Sequence, residues 1–112
     1  MLVRGSKFTA TIDTTTNHDI SFSEAREIQG LWFEVVNHGP DDYAEFFACL
    51  PDGTPVVQFS ETSYIPPSGI VRPIISERGD VLPQGFKLRM KYVCAKTSGD
   101  APVVYLYYRM RK

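Results

Sequence analysis

The chain predicts an all-β fold, an antiparallel β-sandwich of jelly-roll-like or Ig-like type with about eight short strands. Three observations predict it. β-Branched and aromatic residues dominate the apolar set, helical periodicity is nearly absent, and turn residues return at short intervals. At 112 residues the chain has the size of one domain with one core. The organisation expected is an N-terminal arm or first edge strand over residues 1–22, then the sandwich over 23–112.

In chain order, strands are expected over residues 7–13, 31–36, 43–50, 55–59, 70–75, 86–94 and 103–110, with shorter ones near 20–22 and 62–65. "TIDTTTNHD" reads as a polar loop or arm. "SEAREIQG", residues 23–30, is the one helix-like stretch, with Ser23 as N-cap and Gly30 as stop; a single turn leading into a strand fits it equally. The connections "NHGPDD", "PDGT" and "PPSG" hold the residues that turns demand, and two successive prolines cannot donate to a ladder.

The strictest alternation is "GFKLRMKYV", residues 85–93. Phe86, Leu88, Met90 and Tyr92 fall on one side and Lys87, Arg89 and Lys91 on the other. In the last strand Val104, Leu106, Tyr108 and Met110 oppose Tyr105, Tyr107, Arg109 and Arg111. These two strands are expected to pair as a hairpin across "AKTSGDAP", in the register that buries both apolar sets. All the cations and tyrosines of the outer rows then share one face. Such a face is a solvated sheet with long stems lying over rings, a protein interface, or a platform for single-stranded nucleic acid. A sequence pI near 6.1 weighs against nucleic acid, whose binding depends on neutralising phosphates.

Net charge is −1, but residues 86–112 carry +6 and residues 1–85 carry −7. That split implies two electrical poles unless the fold interleaves the halves.

No apolar run reaches the length of a membrane span, and "MLVRGSKF" lacks the features of a signal peptide, so use without secretion is expected. Cys49 and Cys94 lie in apolar strands and read as buried free thiols. Neither His18 nor His38 has a partner at metal-ligand spacing, so no metal or cofactor is expected. No G-x-S-x-G, P-loop or HExxH motif occurs, and no enzyme is expected. Asp41, Asp42 and Glu45 read either as a solvated acidic turn or as calcium ligands. Trp32 is a candidate stacking ring for a sugar, with Tyr43 second, or a buried or interface residue. Tyr64, Ile65, Ile74 and Ile75, on proline-interrupted chain, offer apolar surface that another subunit would cover.

"GLWFEVVN", "DDYAEFF", "PVVQFSETSYIPPSG", "LPQGFKLRMKY" and "PVVYLYY" followed by a basic tail, taken in that order, resemble small β-sandwich virion proteins of tailed bacteriophages. These are capsid decoration (cement) proteins or related head and tail accessory proteins. The resemblance covers most of residues 28–112 and rests on texture and strand order. It implies a virion location, a homotrimer and a contact with the major capsid protein or another virion protein. The expected partner-binding residues are Lys87, Arg89, Lys91, Tyr105, Tyr107, Arg109, Arg111, Tyr64, Ile65 and Trp32. A carbohydrate-binding module of a phage tail or surface appendage is the alternative.

Overall fold

The computed structural model describes residues 2–73, 75 and 80–111. Among them ten strands follow one another: β1 (Leu2–Thr9), β2 (Thr14–Ser21), β3 (Arg26–Val36), β4 (Tyr43–Cys49), β5 (Pro55–Gln58), β6 (Ser63–Tyr64), β7 (Ile70–Val71), β8 (Asp80–Leu82), β9 (Lys87–Cys94) and β10 (Val103–Arg111). Sheet A runs β1, β10, β3, with β7 and β8 both on the far edge of β3. Sheet B runs β2, β9, β4, with β5 and β6 both on the far edge of β4. The first strand lies beside the last and the second beside the next to last, all antiparallel. The chain is therefore a long hairpin rolled into two layers, the wrapping of a jelly roll and not of an Ig domain. Within residues 1–22, β1 and β2 form edge strands of opposite sheets.

"TIDTTTNHD" is not a loop or arm throughout, since residues 14–19 belong to β2 and pair with β9; two further expectations are corrected. Residues 26–30 are not helical but open the 11-residue strand β3. The register jumps from Arg109 opposite Gly30 to Met110 opposite Ile28, so Gln29 is an extra residue in a β-bulge. The bulge sets buried Ile28 three positions before buried Leu31, and that spacing imitates a helix. The second correction concerns β9 and β10, which do not pair. β9 lies between β2 and β4 in sheet B, and β10 between β1 and β3 in sheet A. Their apolar rows do face each other, but across the core. Alternation fixes which side of a strand is buried, yet a ladder neighbour and a strand in the opposite layer satisfy it equally.

The core is the space between the layers. Leu31, Phe33, Leu106 and Met110 of sheet A meet Phe46, Leu88, Met90 and Tyr92 of sheet B, all essentially removed from water. The Phe33 and Phe46 rings, 5.8 Å apart, join the layers at the centre; burying each such side chain is worth about 1.5–3 kcal/mol. Cys49 and Cys94 are buried free thiols.

One end of the sandwich is organised by a carboxylate. Asp42, fully buried, accepts hydrogen bonds from the Tyr92 hydroxyl at 2.7 Å, the Ala95 amide at 2.9 Å and the Gly39 amide at 2.9 Å. Its own carbonyl accepts from the Ile65 amide. It is neither a solvated turn residue nor free to ligate calcium. The "PPSG" turn closes with the Gly69 amide donating to the Pro66 carbonyl, and the Gly69 carbonyl accepts from Val35. Gly69 has φ of 76°, and a Cβ there would lie 2.5 Å from the Val35 oxygen, so only glycine fits.

Along one flank, the edges of the two layers are linked by Ser6 and His18, whose Oγ and Nε2 are 2.6 Å apart. The His18 ring stacks on Phe8 at 4.5 Å. Burial lowers the His18 pKa from its usual 6.5, against the opposing pull of Asp19.

Asp42→Asn replaces an acceptor of three bonds with a group that brings its own donors into the same space. We expect a loss of about 3 kcal/mol in denaturant unfolding, and a smaller loss of about 1 kcal/mol for Tyr92→Phe. For His18 the neutral ring is favoured in the folded state, so the unfolded chain binds the proton more readily. Its contribution is complete above pH 6.5 and is lost as pH falls through the lower folded value. Stability measured from pH 7.5 to 5 should fall on acidification, with a shallower slope in His18→Gln.

Candidate partner-binding surface

Because β9 and β10 belong to different layers, their outward rows look in opposite directions. Lys87, Arg89 and Lys91 lie on the outside of sheet B; Tyr105, Tyr107, Arg109 and Arg111 lie on the outside of sheet A. The single basic and aromatic face expected from a hairpin does not exist, and the nucleic-acid platform built on it falls with it.

The sheet B row is largely engaged by its neighbours. Arg89 grips Asp19 of β2 with two bonds, Nε to Oδ1 at 2.7 Å and Nη2 to Oδ2 at 2.9 Å. The Arg89 hydrogen bond holds the Asp19 carboxyl below its usual range and raises the Arg89 pKa in turn. Lys91 lies 3.5 Å from Glu45 of β4. Glu45 also accepts from Thr62 at 2.8 Å and Gln58 at 3.3 Å. At the edge of this sheet Tyr64 is 67% exposed and leans on Tyr43, with ring centres 5.4 Å apart. Ile65, expected as a contact residue, is instead buried in the core at 5% exposure, because the chain after Tyr64 turns inward where its amide meets Asp42. Ile74 lies outside the described residues.

The outside of sheet A has a different character. The register sets Tyr107 between Gly5 of β1 and Trp32 of β3, and Tyr105 between Lys7 and Glu34. Trp32 and Tyr107 stack at 5.6 Å with their planes 16° apart. Lys7 Nζ stands 5.5 Å above the Tyr105 ring. A Cβ on Gly5 would lie 3.4 Å from the Tyr107 ring, and one on Gly30 would lie 3.4 Å from Arg109 Nε. Both glycines thus leave large side chains lying flat against the sheet. Val3, Val36 and Ile70 on this face are exposed aliphatics. Arg111 approaches Glu27 at 3.6 Å, whereas Arg109 has no carboxylate partner among the described residues.

Of the residues expected to bind a partner, the structure therefore brings together Trp32, Tyr105, Tyr107, Arg109 and Arg111. Lys87, Arg89 and Lys91 lie on the opposite face and Tyr64 at the sheet B edge. Sequence reasoning missed Val3, Gly5 and Lys7, because β1 and its register against β10 are not visible in a local pattern, and it took Gly30 for the stop of a helix-like stretch where the structure has β3. Two glycines inside extended segments were the available signal, since glycine in a strand often marks a close approach. Among the described residues no group of acidic, histidine and cysteine side chains is placed to hold a metal ion, and no helix is long and apolar enough to cross a membrane.

No family model matches the chain, and no curated protein matches it. Among solved structures the chain is similar to one chain of "Structure of infectious bursal disease virus Gx strain", with 16% identity and a TM-score of 0.28. The match covers 99% of the present chain and 37% of the viral one.

The Arg89–Asp19 pair is a sheet-surface ion pair with two well-aligned bonds. A double-mutant cycle with Asp19→Asn and Arg89→Gln should give a coupling of about 0.5–1 kcal/mol at pH 7. Since Asp19 has a depressed folded pKa, that coupling is present above the usual 3.8 and disappears as pH falls through the folded value. Unfolding curves at pH 7 and pH 2.5 check both statements.

Proposed function

We propose that the chain is a non-enzymatic structural protein of a virus particle, held against another virion protein by the outer face of sheet A. The observation that carries this reading is the contrast between the two outer faces. One has Arg89 and Lys91 of its central strand held by ion pairs, its exposed Val56, Val57 and Tyr64 lying on edge strands; the other presents the Trp32–Tyr107 stack, exposed Val3, Val36 and Ile70, and in Arg109 an arginine without a carboxylate partner among the described residues. Aromatic residues and arginine are the types enriched where protein interfaces carry their energy. Jelly rolls serve in viral capsids as well as in lectins, which makes the fold compatible with the role without specifying it.

The finer reading, from the texture shared with phage virion proteins, is a decoration or cement protein that stabilises a capsid as a trimer. Many copies on one lattice need only modest individual affinity, because neighbouring contacts act at high effective concentration. The Trp32–Tyr107 stack also favours a second reading, a carbohydrate-binding module of a tail or appendage. In that reading calcium plays no part through Asp42, whose carboxylate is filled by protein donors.

Particles purified from the virus that encodes the chain should contain it in many copies. Tyr107→Ala should reduce its retention about tenfold or more, while Lys91→Gln leaves it unchanged. Absence from the particle, or full retention of Tyr107→Ala combined with Val3→Ser, overturns the proposal. Glycan-array binding lost on Tyr107→Ala, with no particle association, selects the carbohydrate reading.

A further inference from the structure

The bulge in β3 has a consequence on the surface it faces. Gln29, the inserted residue, lines a recess of about 380 Å³ together with Gly30, Trp32, Arg72 and Arg109. Bulges re-aim side chains and recur beside binding sites. The Gln29 side-chain oxygen is buried and has no hydrogen-bond partner, which is rare enough for a buried polar atom to need a reason. Two guanidinium groups line the same recess, and neither Arg72 nor Arg109 has a carboxylate partner among the described residues. Gly30 lets the Arg109 side chain lie along the strand, with no side chain between it and the backbone. Trp32 provides an apolar wall.

Three features meet around this space: a buried acceptor without a donor, two guanidinium groups without a carboxylate partner among the described residues, and the half-buried Trp32 ring. A ligand that answers all three carries a carboxylate, a short apolar stem and an N–H. The recess is at the small end of ligand sites, which suits one side chain. Exposed Val3, Val36 and Ile70 on the same face favour a protein over a sugar, because aliphatic surface is covered in protein interfaces.

Resting on the partner-binding reading above, we infer that this recess receives one acidic residue, aspartate or glutamate, of the docked protein. Its carboxylate bridges Arg109 and Arg72, its stem lies on Trp32, and its main-chain amide donates to the Gln29 oxygen once that side chain rotates out of its buried position. Arginine is suited to the first task because its planar fork matches a carboxylate with two parallel bonds.

Trp32 is the only tryptophan, so its emission reports the recess directly. The full chain is titrated with poly-L-glutamate, with poly-L-glutamine, 3′-sialyllactose and inorganic phosphate as separate arms. The expected result is a saturable change in Trp32 emission with poly-L-glutamate alone. Its apparent affinity should weaken roughly tenfold or more in Arg109→Gln and less in Gln29→Met, and stay unchanged in Lys91→Gln. Circular dichroism of each variant verifies folding. No response to poly-L-glutamate, an equal response in Arg109→Gln, or a matching response to phosphate or sialyllactose overturns the inference. If Tyr107→Ala still releases the chain from particles in any of those cases, the docking face stands and only the acidic ligand is wrong.

Discussion

The fold turns on one buried carboxylate. At the end of the sandwich where Asp42 sits, the chain passes between layers four times, from β1 to β2, from β3 to β4, from β6 to β7 and from β9 to β10. Each passage exposes backbone groups that no ladder can satisfy. Asp42 accepts from the β3–β4 connection at Gly39, from the end of β9 at Tyr92 and from the start of the β9–β10 connection at Ala95. Lys96 then ties that connection to the Asn37 and Asp100 carbonyls, and the Ala10 amide donates to Pro102. Burying a charge is costly unless its lone pairs are met. Here three donors converge on it, so the same group that penalises any other arrangement of these loops stabilises this one.

That role explains why β9 and β10, adjacent in sequence, occupy different layers. Eight residues with a proline at their end separate the strands, enough to cross the core as well as to make a hairpin. The alternation of Leu88, Met90 and Tyr92 and of Val104, Leu106 and Tyr108 identified the buried rows correctly. The choice of neighbour lies elsewhere, in the Asp42 bonds and in β1 and β2, which take the places beside β10 and β9. Neither has a local signature: Asp42 looks like any acid in a turn, and β1 is interrupted by Gly5. The bulge at Gln29 was hidden for a different reason, since an inserted residue changes a period of two into a spacing of three. What periodicity encodes is burial; what it omits is pairing.

The jelly-roll wrapping also dissolves the charge split of the sequence. Pairing β9 with β2 and β4 carries the basic row into register with acids from the first part of the chain, Arg89 opposite Asp19 and Lys91 opposite Glu45. On sheet A, Arg111 comes opposite Glu27 in the same way. A segregation that looks like two poles along the chain becomes local neutralisation on the surface. Arg89 and Lys91 thus face acids of neighbouring strands, whereas Arg109 on the other layer has no carboxylate partner among the described residues.

Where that chemistry sits matters for what it can do. Tyr107 and Arg109 are carried by β10, which is flanked on both sides by ladders, and Trp32 by β3, which pairs β10 along most of its length. Side chains on such strands are positioned by the sheet itself, with little freedom left to lose when a partner docks. The bulge departs from regular pairing next to them, leaving Gln29 without a ladder place and its oxygen without a donor. Loops at the Asp42 end are fastened for the fold. The irregularity in β3 satisfies no such need; it lies beside the Trp32–Tyr107 stack and beside Arg109, which has no carboxylate partner among the described residues, and in the proposed reading it belongs to the docking face.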